Sequence, residues 1–194
     1  AIMCPDAQIT KHTIVRELIK AIGDDPDRDG VLETPQRVVK SWKEIFSGYD
    51  QNPKAILSKT FQDVDNYDQM IVLDGIDFLS HCEHHLLPFY GTATVAYLPS
   101  RTQGVVGISK LARLVHCFAN RLQIQERLTQ QIGKALIEHL EPLGVGVVIR
   151  GTHNCMKIRG VKCQNSKMTT SFLSGEFRNS DVKEELWNIA NKKH

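Results

Sequence analysis

Two short segments contain the side chains of this sequence that are best suited to bind a transition metal. Cys82-Glu83-His84-His85 places a cysteine beside two adjacent histidines, and His153-Asn154-Cys155 adds a further histidine and cysteine. Thiolate and imidazole are the ligands that zinc prefers. Cys82, His85 and Cys155 supply three ligands, which leave the fourth position of a tetrahedral ion open to water, as in catalytic zinc sites. The sequence therefore predicts a catalytic zinc centre.

The two remaining histidines of these segments are candidates for proton transfer. If the chain around His84 and His85 is extended, the two side chains point to opposite sides, so that one binds the metal while the other faces a substrate. Histidine suits acid and base chemistry because its pKa lies close to neutral pH. Arg159 follows Cys155 by four residues and brings a positive charge toward the same centre.

A third segment, Gly107-Ile108-Ser109-Lys110-Leu111-Ala112-Arg113, opens a predicted helix. We expect Ser109 to cap this helix, and the free backbone N–H groups and the helix dipole favour an anion there. Lys110 contributes a compact charge and Arg113 a planar guanidinium that fits phosphate oxygens. Taken alone, two basic residues at a capped helix are more typical of a solvated surface.

A fourth segment, Gln123-Ile124-Gln125-Glu126-Arg127, begins the strongest amphipathic helix. The Glu126 carboxylate can accept two parallel hydrogen bonds from the N1–H and the exocyclic amine of guanine. Adenine lacks this donor pair, so such a site would discriminate against it. The alternative interpretation is an ordinary charged helix surface.

Composition limits the class of protein. The 194 residues are 41% hydrophobic and 24% charged, with a formal net charge of only +2, which is an ordinary globular balance for one domain. Nucleic-acid binding through general phosphate neutralisation is therefore not expected. The five cysteines lack the dense spacing of a secreted disulfide scaffold, and no apolar run approaches the ~20 residues of a membrane span. We expect a cytoplasmic protein that does not enter the membrane.

The elements that must position these residues follow from hydrophobic periodicity. Helical spacing is found from Ile9 to Ile22, and a second helix opens with Thr34 as N-cap and Pro35 as first residue and closes at Gly48. The rest of the chain alternates between strand and helix patterns in the order ββααββ. The predicted segments are strands Met70 to Leu73 and Gly91 to Leu98, helices from Ser109 and around Ile124 to Leu140, and strands Val145 to Ile149 and Met168 to Phe177.

This order predicts an α+β fold in which two helices cover one face of a four-stranded antiparallel sheet. We predict an N-terminal helical extension over residues 1–66 and a catalytic domain with a C-terminal helix over residues 67–194, acting as one functional unit. Such a sheet leaves strand edges open, so we expect it to pair with other subunits.

Read together, the four segments, with Pro88-Phe89 and Met156-x-x-Arg159-Gly160, resemble the GTP cyclohydrolase I family from about Gly30 to about Phe177. The resemblance implies the T-fold and a homodecamer with active sites at subunit junctions. It also implies zinc on Cys82, His85 and Cys155. Its implied acid and base residues are His84 and His153, and its implied substrate contacts are Glu126, Gln125, Ser109, Lys110, Arg113 and Arg159.

The reaction implied by the resemblance is hydrolytic opening of the GTP imidazole ring at C8, release of formate and rearrangement to 7,8-dihydroneopterin triphosphate. This is the first step toward pterins and tetrahydrofolate; the sequence leaves open a folate, biopterin or deazaguanine end product. Related T-fold enzymes with a three-histidine zinc site or a nucleophilic cysteine are the first alternative, and the Cys-His-Cys set argues against them. A zinc-stabilised nucleic-acid module is the second, indicated only by a pI of ≈ 8.3 and the basic residues near Ser109.

Overall fold

The computed structural model describes residues 10–61, 67–100 and 104–192. The chain divides into two compact units, one that ends at Phe46 and one that begins at Ser47. The sequence places its boundary later, between residues 66 and 67, and that division into an extension and a catalytic domain stays a prediction. No helix among the described residues is long and apolar enough to cross a membrane.

The first unit contains helices α1 (Lys11–Ala21) and α2 (Thr34–Ile45), which pack against each other. The side chain of Thr10 caps α1 by accepting a hydrogen bond from the Thr13 N–H. Ile9, where the sequence starts this helix, lies outside the described residues. The prediction for α2 is wrong by one residue at its start, because Glu33 is the N-cap and Thr34 is already helical. Its end is also earlier than predicted, since Gly48 lies in a following 3-10 turn.

The second unit is built on a mixed sheet with the strand order β5-β2-β3-β6-β7. Its four long strands are β2 (Ile71–Cys82), β3 (Pro88–Leu98), β6 (Gly144–His153) and β7 (Met168–Gly175), and each pairs antiparallel with its neighbour. The predicted four-stranded sheet is extended by β5 (Leu122–Gln123), which pairs parallel with the end of β2. Two residues carry no periodicity, so this strand could not be recognised in the sequence.

Strand β2 is much longer than the predicted segment that ends at Leu73. Its register with β3 shifts between Leu73 and Ile76, and Gly75 has a φ of 67°. Glycine adopts this left-handed conformation without a Cβ clash, which marks a bulge inside the strand. The Asp74-Gly75 pair therefore bends the strand rather than ending it, and the chain continues to Cys82.

Helices α4 (Ile108–Ala119) and α5 (Gln125–Leu140) cover one face of the sheet, as predicted. Alternate strand residues such as Val95 and Val147 pack under them, while Ala96 and Val148 join a second core on the opposite face with helix α7 (Ser180–Ala190). This alternation follows from the two-residue period of a strand. The α+β class is confirmed, and the long elements follow the expected order of two strands, two helices and two strands.

Shorter elements complete the described chain: 3-10 turns Ser47–Asp50 and Glu176–Arg178, helices α3 (Pro53–Leu57) and α6 (Asn154–Lys157), and strands β1 (Thr60–Phe61) and β4 (Val105–Val106). Strands β1 and β4 pair antiparallel as a separate ribbon. The N-cap of α4 is Gly107, and Ser109 is inside the helix and makes no capping hydrogen bond. The predicted cap at Ser109 is therefore wrong, although the helix starts within a residue of the expected place.

Candidate metal centre and active site

Antiparallel register brings the two metal-binding segments to the same edge of the sheet. Phe89 at the start of β3 pairs with Ser80 near the end of β2 and with His153 at the end of β6. The ends of β2 and β6 therefore lie on either side of β3, and the chain that follows each of them emerges at one place. Cys82 is the last residue of β2, and Cys155 is in α6, which directly follows β6.

The three predicted metal ligands form one group. The Sγ atoms of Cys82 and Cys155 and a ring nitrogen of His85 all lie within 4.8 Å of one another. The Cys82 Sγ is 3.9 Å from the Nδ1 of His85. Two thiols and an imidazole at this spacing are a suitable donor set for a zinc ion, with room for a fourth ligand.

Thiol chemistry supports the same conclusion. Burial raises the pKa of the Cys155 thiol, and the adjacent Cys82 sulfur raises it further. Two neighbouring thiolates repel each other in the absence of a cation, whereas a bound divalent ion stabilises both and releases their protons. A metal ion could therefore balance the charge of this group in its thiolate form.

A tight turn after β2 holds His84 and His85. The Leu86 N–H donates to the Cys82 carbonyl at 2.8 Å, and the Cys82 N–H donates to the Leu87 carbonyl at 2.8 Å. Leu86 has a φ of 55°, a strained conformation for a leucine. The two histidines are thus not on opposite sides of an extended strand as predicted; their rings cross at 82°, and the Nδ1 of His84 is also 4.0 Å from the Cys82 Sγ.

An ion pair fixes this turn to helix α5. The Arg127 guanidinium donates to both carboxylate oxygens of Glu83, at 2.5 and 3.0 Å. The Glu83 N–H also donates to the Gln123 carbonyl at 3.0 Å. Arg127 lowers the pKa of the Glu83 carboxyl through this bond. Glu83 and Arg127 lie within two of the sequence motifs, but an ion pair between distant segments leaves no local pattern from which it could be predicted.

A cavity of about 230 Å³ adjoins the metal-binding group. This volume is below the ~300–1,000 Å³ of sites that enclose a drug-sized ligand, so the cavity suits one ring system rather than a whole nucleotide. Its lining includes the predicted residues Glu126, Gln125, His84 and His153. The other lining residues are Cys82, Phe89, Gln123, Ile124, Cys155 and Met168.

His153 is held in this wall by a stacked ring and a hydrogen bond. Its ring lies parallel to that of Phe89, with centroids 4.6 Å apart and an interplanar angle of 5°. Its Nε2 is 2.8 Å from the Oε1 of Gln125. Burial lowers the pKa of the His153 ring, and the negative charge of Glu126 opposes this effect. The ring is therefore mainly neutral at neutral pH, ready to gain and return a proton.

Gln125 lines the same cavity, yet its side-chain amide is already engaged within the protein, and the residue is only 1% exposed. The prediction that it binds substrate stays a prediction. Arg159 lies where the sequence predicts, since its Nη1 is 3.4 Å from both the His85 Nε2 and the Cys155 carbonyl oxygen. It thus brings a positive charge directly beside the metal-binding group.

Lys110 and Arg113 are not part of this cavity. They line a separate cavity of about 590 Å³ on helix α4, and Ser109 is exposed at the same end of the helix. The other residues of that lining are Gln51, Asn52, Ala55, Ile56, His116 and Asn120. Within a single described chain, the predicted phosphate contacts on α4 and the predicted metal centre therefore line two different cavities.

The fold and the site together define an α+β protein with a cysteine and histidine group suited to hold a metal ion beside a small, mainly apolar cavity. The family model for GTP cyclohydrolase I matches residues 11–191, and the chain belongs to this family. Curated relatives named GTP cyclohydrolase 1 agree over nearly the whole length. That of Maricaulis maris is 52% identical over 90% of this chain and 85% of the relative, and that of Wolinella succinogenes is 50% identical over 93% and 96%.

A third relative of the same name, from a Janthinobacterium species, is 52% identical over 92% of this chain and 89% of its own length. Among solved structures, one titled as the archaeosine synthase QueF-Like in the apo form covers 57% of this chain and 97% of its own, with 16% identity and a TM-score of 0.45. The assignment to the family rests on the sequence relatives and not on this distant likeness.

Proposed function

We propose that the chain is a zinc-dependent GTP cyclohydrolase I, a hydrolase that opens the imidazole ring of GTP at C8, releases formate and yields 7,8-dihydroneopterin triphosphate. One observation carries this proposal: Cys82, His85 and Cys155 gather their ligand atoms within 4.8 Å beside a cavity that Glu126 and His153 line. The family relatives support the same activity, since their names state it.

The proposed cofactor is zinc, because two thiolates and an imidazole favour it over the hard cations that prefer oxygen ligands. Bound by these three side chains, zinc supplies Lewis-acid activation of water for attack on C8. The Arg159 guanidinium, 3.4 Å from the His85 Nε2, adds a fixed positive charge where anionic substrate oxygens approach.

Recognition of the base is assigned to Glu126. This residue is in the first turn of α5, and its side chain lines the cavity beside His153. A carboxylate here accepts hydrogen bonds from the N1–H and the exocyclic amine of guanine, whereas adenine offers no matching donor at N1. The expected consequence is strong selection of GTP over ATP.

Proton transfer is assigned to the two histidines that are not metal ligands. His153 delivers a proton to N7 of the purine as the C8–N bond opens, and its stacking on Phe89 holds the ring plane during the transfer. The His84 side chain is 65% exposed and so exchanges protons readily with water. This exposure suits the later proton transfers of the rearrangement.

We further propose that the active site is shared between subunits of a homo-oligomer, a decamer by resemblance to the family. Two observations support this. The outer edge of β7 and that of β2 before His81 have no strand partner within the described chain, and unpaired edges are sites for pairing with another copy. In addition, Lys110 and Arg113 line a cavity apart from the metal group, so a neighbouring chain is the source of the phosphate contacts.

The triphosphate in this scheme is not cleaved; it contributes binding energy that positions the base. Cytoplasmic location, and a place at the start of a route to reduced pterins, remain parts of the proposal that rest on the family resemblance. The four described cysteines are free thiols, as a reducing compartment requires.

The activity is tested by incubating the zinc-loaded protein with GTP, and with ATP as control substrate. We expect formate and a pteridine absorbance from GTP only. His153→Ala is expected to retain zinc but to lose ring opening, and Glu126→Ala to weaken the preference for GTP. Full turnover by either variant would remove that assignment. Salt-sensitive RNA binding without turnover of GTP would instead favour a nucleic-acid module.

Sharing of the site is tested by mixing subunits. His153→Ala and Arg113→Ala are each expected to be inactive as homo-oligomers, and co-assembled chains are expected to regain activity at junctions that combine intact His153 with intact Arg113. A mixture of His153→Ala with Glu126→Ala is the matched control, since both residues line one cavity of one chain and cannot complement. Equal failure of both mixtures would contradict a shared site. Light scattering should give a mass near ten times 21.9 kDa.

A further inference from the structure

Gln125 is a buried polar residue whose side chain connects three elements. It begins α5 and is 1% exposed. Its amide nitrogen lies 3.1 Å from the Ile149 carbonyl oxygen on β6, 3.0 Å from the Met168 carbonyl oxygen on β7, and 3.1 Å from the Thr170 Oγ1. Its amide oxygen lies 2.8 Å from the His153 Nε2. Every polar atom of the side chain is therefore in use.

These contacts leave only one orientation for the amide. Carbonyl oxygens accept hydrogen bonds and cannot donate, so the NH₂ end of Gln125 must face Ile149 and Met168. The oxygen end must then face His153. Because this oxygen is an acceptor, the Nε2 of His153 must carry a hydrogen and donate it. The backbone of two strands thus determines where the proton of a catalytic histidine resides.

Two threonines support the same orientation. The Thr129 hydroxyl donates to the Gln125 backbone carbonyl at 2.8 Å, and its oxygen is 2.7 Å from the Thr170 Oγ1. Since the Thr129 hydrogen is already engaged, the Thr170 hydroxyl donates to Thr129, and its oxygen then faces the Gln125 amide nitrogen as an acceptor that shares the two amide hydrogens with the carbonyls. Reversing the amide would place its oxygen against the carbonyl oxygens of Ile149 and Met168, which cannot donate.

Gly151 leaves the space in which the Gln125 oxygen lies. A Cβ at this position would be 2.2 Å from the Gln125 Oε1 and 3.3 Å from the His153 Nε2. Residue 151 is on β6, two residues before His153, and any side chain there would enter the hydrogen bond. Absence of a side chain at residue 151 is therefore a requirement of the contact between Gln125 and His153.

We infer that Gln125 is a positioning residue that keeps a hydrogen on the Nε2 of His153, so that His153 exchanges its catalytic proton with the substrate through Nδ1. Among the described residues, Nδ1 has no hydrogen-bond partner, so it is available to a ligand in the cavity. In the proton transfer, Nδ1 first takes up a proton from solvent. This hydrogen then leaves Nδ1 for the purine nitrogen, the electron pair of the broken N–H bond stays on Nδ1, and the hydrogen on Nε2 remains bonded to Gln125. The substrate in this inference rests on the proposed function, whereas the position of the hydrogen on His153 rests only on the hydrogen bonds of Gln125.

Nitrogen NMR measures the tautomer of the His153 ring directly. In zinc-loaded protein with ¹⁵N-labelled histidine, nitrogen chemical shifts above neutral pH distinguish a nitrogen that carries hydrogen from one that does not, and His153→Ala assigns the signals. We expect hydrogen on Nε2 in the unmodified protein. Gln125→Met, which keeps the length of the side chain and removes its polar atoms, should lose this preference. Thr170→Val is the matched control, since the two carbonyls still hold the amide and the tautomer should persist.

Kinetics separate positioning from a merely structural role. Misplacing a catalytic group by about 1 Å costs on the order of 10²-fold in rate, so Gln125→Met should lose about that factor in kcat with little change in KM. Thr170→Val should retain kcat. If Gln125→Met does not fold, Gly151→Ala provides the same test, because it keeps the amide and displaces its oxygen.

Hydrogen on Nδ1 in the unmodified protein would overturn the inference, and so would an unchanged tautomer and kcat in Gln125→Met. An unmodified protein that shows hydrogen on Nε2 but does not turn over GTP would refute the proposed function while leaving the positioning by Gln125 supported. The two failures are therefore distinguishable.

Discussion

The substitution Gly151→Ala tests whether the packing of β6 controls chemistry at His153. The added methyl carbon would lie 2.2 Å from the Gln125 Oε1 and 3.2 Å from its Cδ, far inside van der Waals contact. Gln125 cannot withdraw easily, because its nitrogen is bonded to the Ile149 and Met168 carbonyls. The hydrogen bond between Gln125 and His153 must therefore lengthen or break, or the strand must move.

The expected loss of stability follows from three terms. Overpacking costs about 1–3 kcal/mol, and the lost hydrogen bond costs about 1 kcal/mol more. The smaller conformational entropy of the unfolded alanine chain returns about 0.5 kcal/mol. The free energy of unfolding should thus fall by about 1.5–3.5 kcal/mol, as measured by urea denaturation of the zinc-loaded protein. Turnover should fall by on the order of 10²-fold, because a general acid contributes at least that much when correctly placed.

Gly133→Ala is the matched control for overpacking. Its added carbon would lie 2.2 Å from the Phe172 ring, between α5 and β7, and its three nearest neighbours are all atoms of that ring. We expect this variant to change stability but to retain kcat at a temperature where it is folded. If Gly151→Ala is destabilised as expected yet keeps full kcat and zinc content, the hydrogen bond to Gln125 does not govern the activity of His153, and the reasoning fails.

Four further outcomes are expected. Arg127→Gln should weaken zinc affinity by up to about 10-fold in a competition with a chelating dye, because the bidentate bond to Glu83 no longer fixes the ligand-bearing turn. Removal of zinc by a chelator should abolish turnover until zinc is restored, and should make the thiols of the metal group reactive toward a disulfide reagent. Leu86→Val should lower the free energy of unfolding by about 1–2 kcal/mol, since a β-branched residue tolerates the positive φ poorly, whereas Leu86→Gly should not. Burial raises the pKa of the Tyr97 hydroxyl. The stability that Tyr97 contributes is therefore present below the tyrosine pKa of the unfolded chain and is lost as the pH rises through the higher pKa of the folded protein. Absorbance titration of the unmodified protein and of Tyr97→Phe should identify this late ionisation.

Local patterns predicted the helices well where one face is continuously apolar. Of the apolar stripe predicted for α5, Leu128, Ile132, Ala135, Leu136 and Leu140 are buried, and Ile124, just before the helix, is partly buried. The sequence patterns failed where residues typical of turns lie inside a strand. The Asp74-Gly75 pair was expected to end a strand, but it forms a bulge, because glycine at positive φ allows the strand to continue with a shifted register.

In the candidate site, too, some residues could be predicted from the sequence and others could not. Residue type and spacing selected the three members of the metal-binding group before any geometry was known, since few clusters of thiol and imidazole have another purpose. The roles of Gln125 and Gly151 were beyond reach, because they depend on carbonyl oxygens of β6 and β7 that carry no side-chain signature. The expected opposition of His84 and His85 failed for a related reason: the turn closes through backbone bonds that involve Cys82 and Leu87.

The two-residue strand β5 has a consequence for binding thermodynamics. It joins Gln123 to Cys82 in register, so the first turn of α5, which bears Glu126, moves with the strand that bears a metal ligand. If the proposed ion and purine sites are both used, ion occupancy and purine affinity are coupled through this junction. Linkage makes the coupling reciprocal: whatever factor the ion adds to nucleotide affinity, the nucleotide returns to the ion. If the coupling is favourable, a cell poor in zinc would retain the proposed metal longest in those molecules that already hold the proposed substrate.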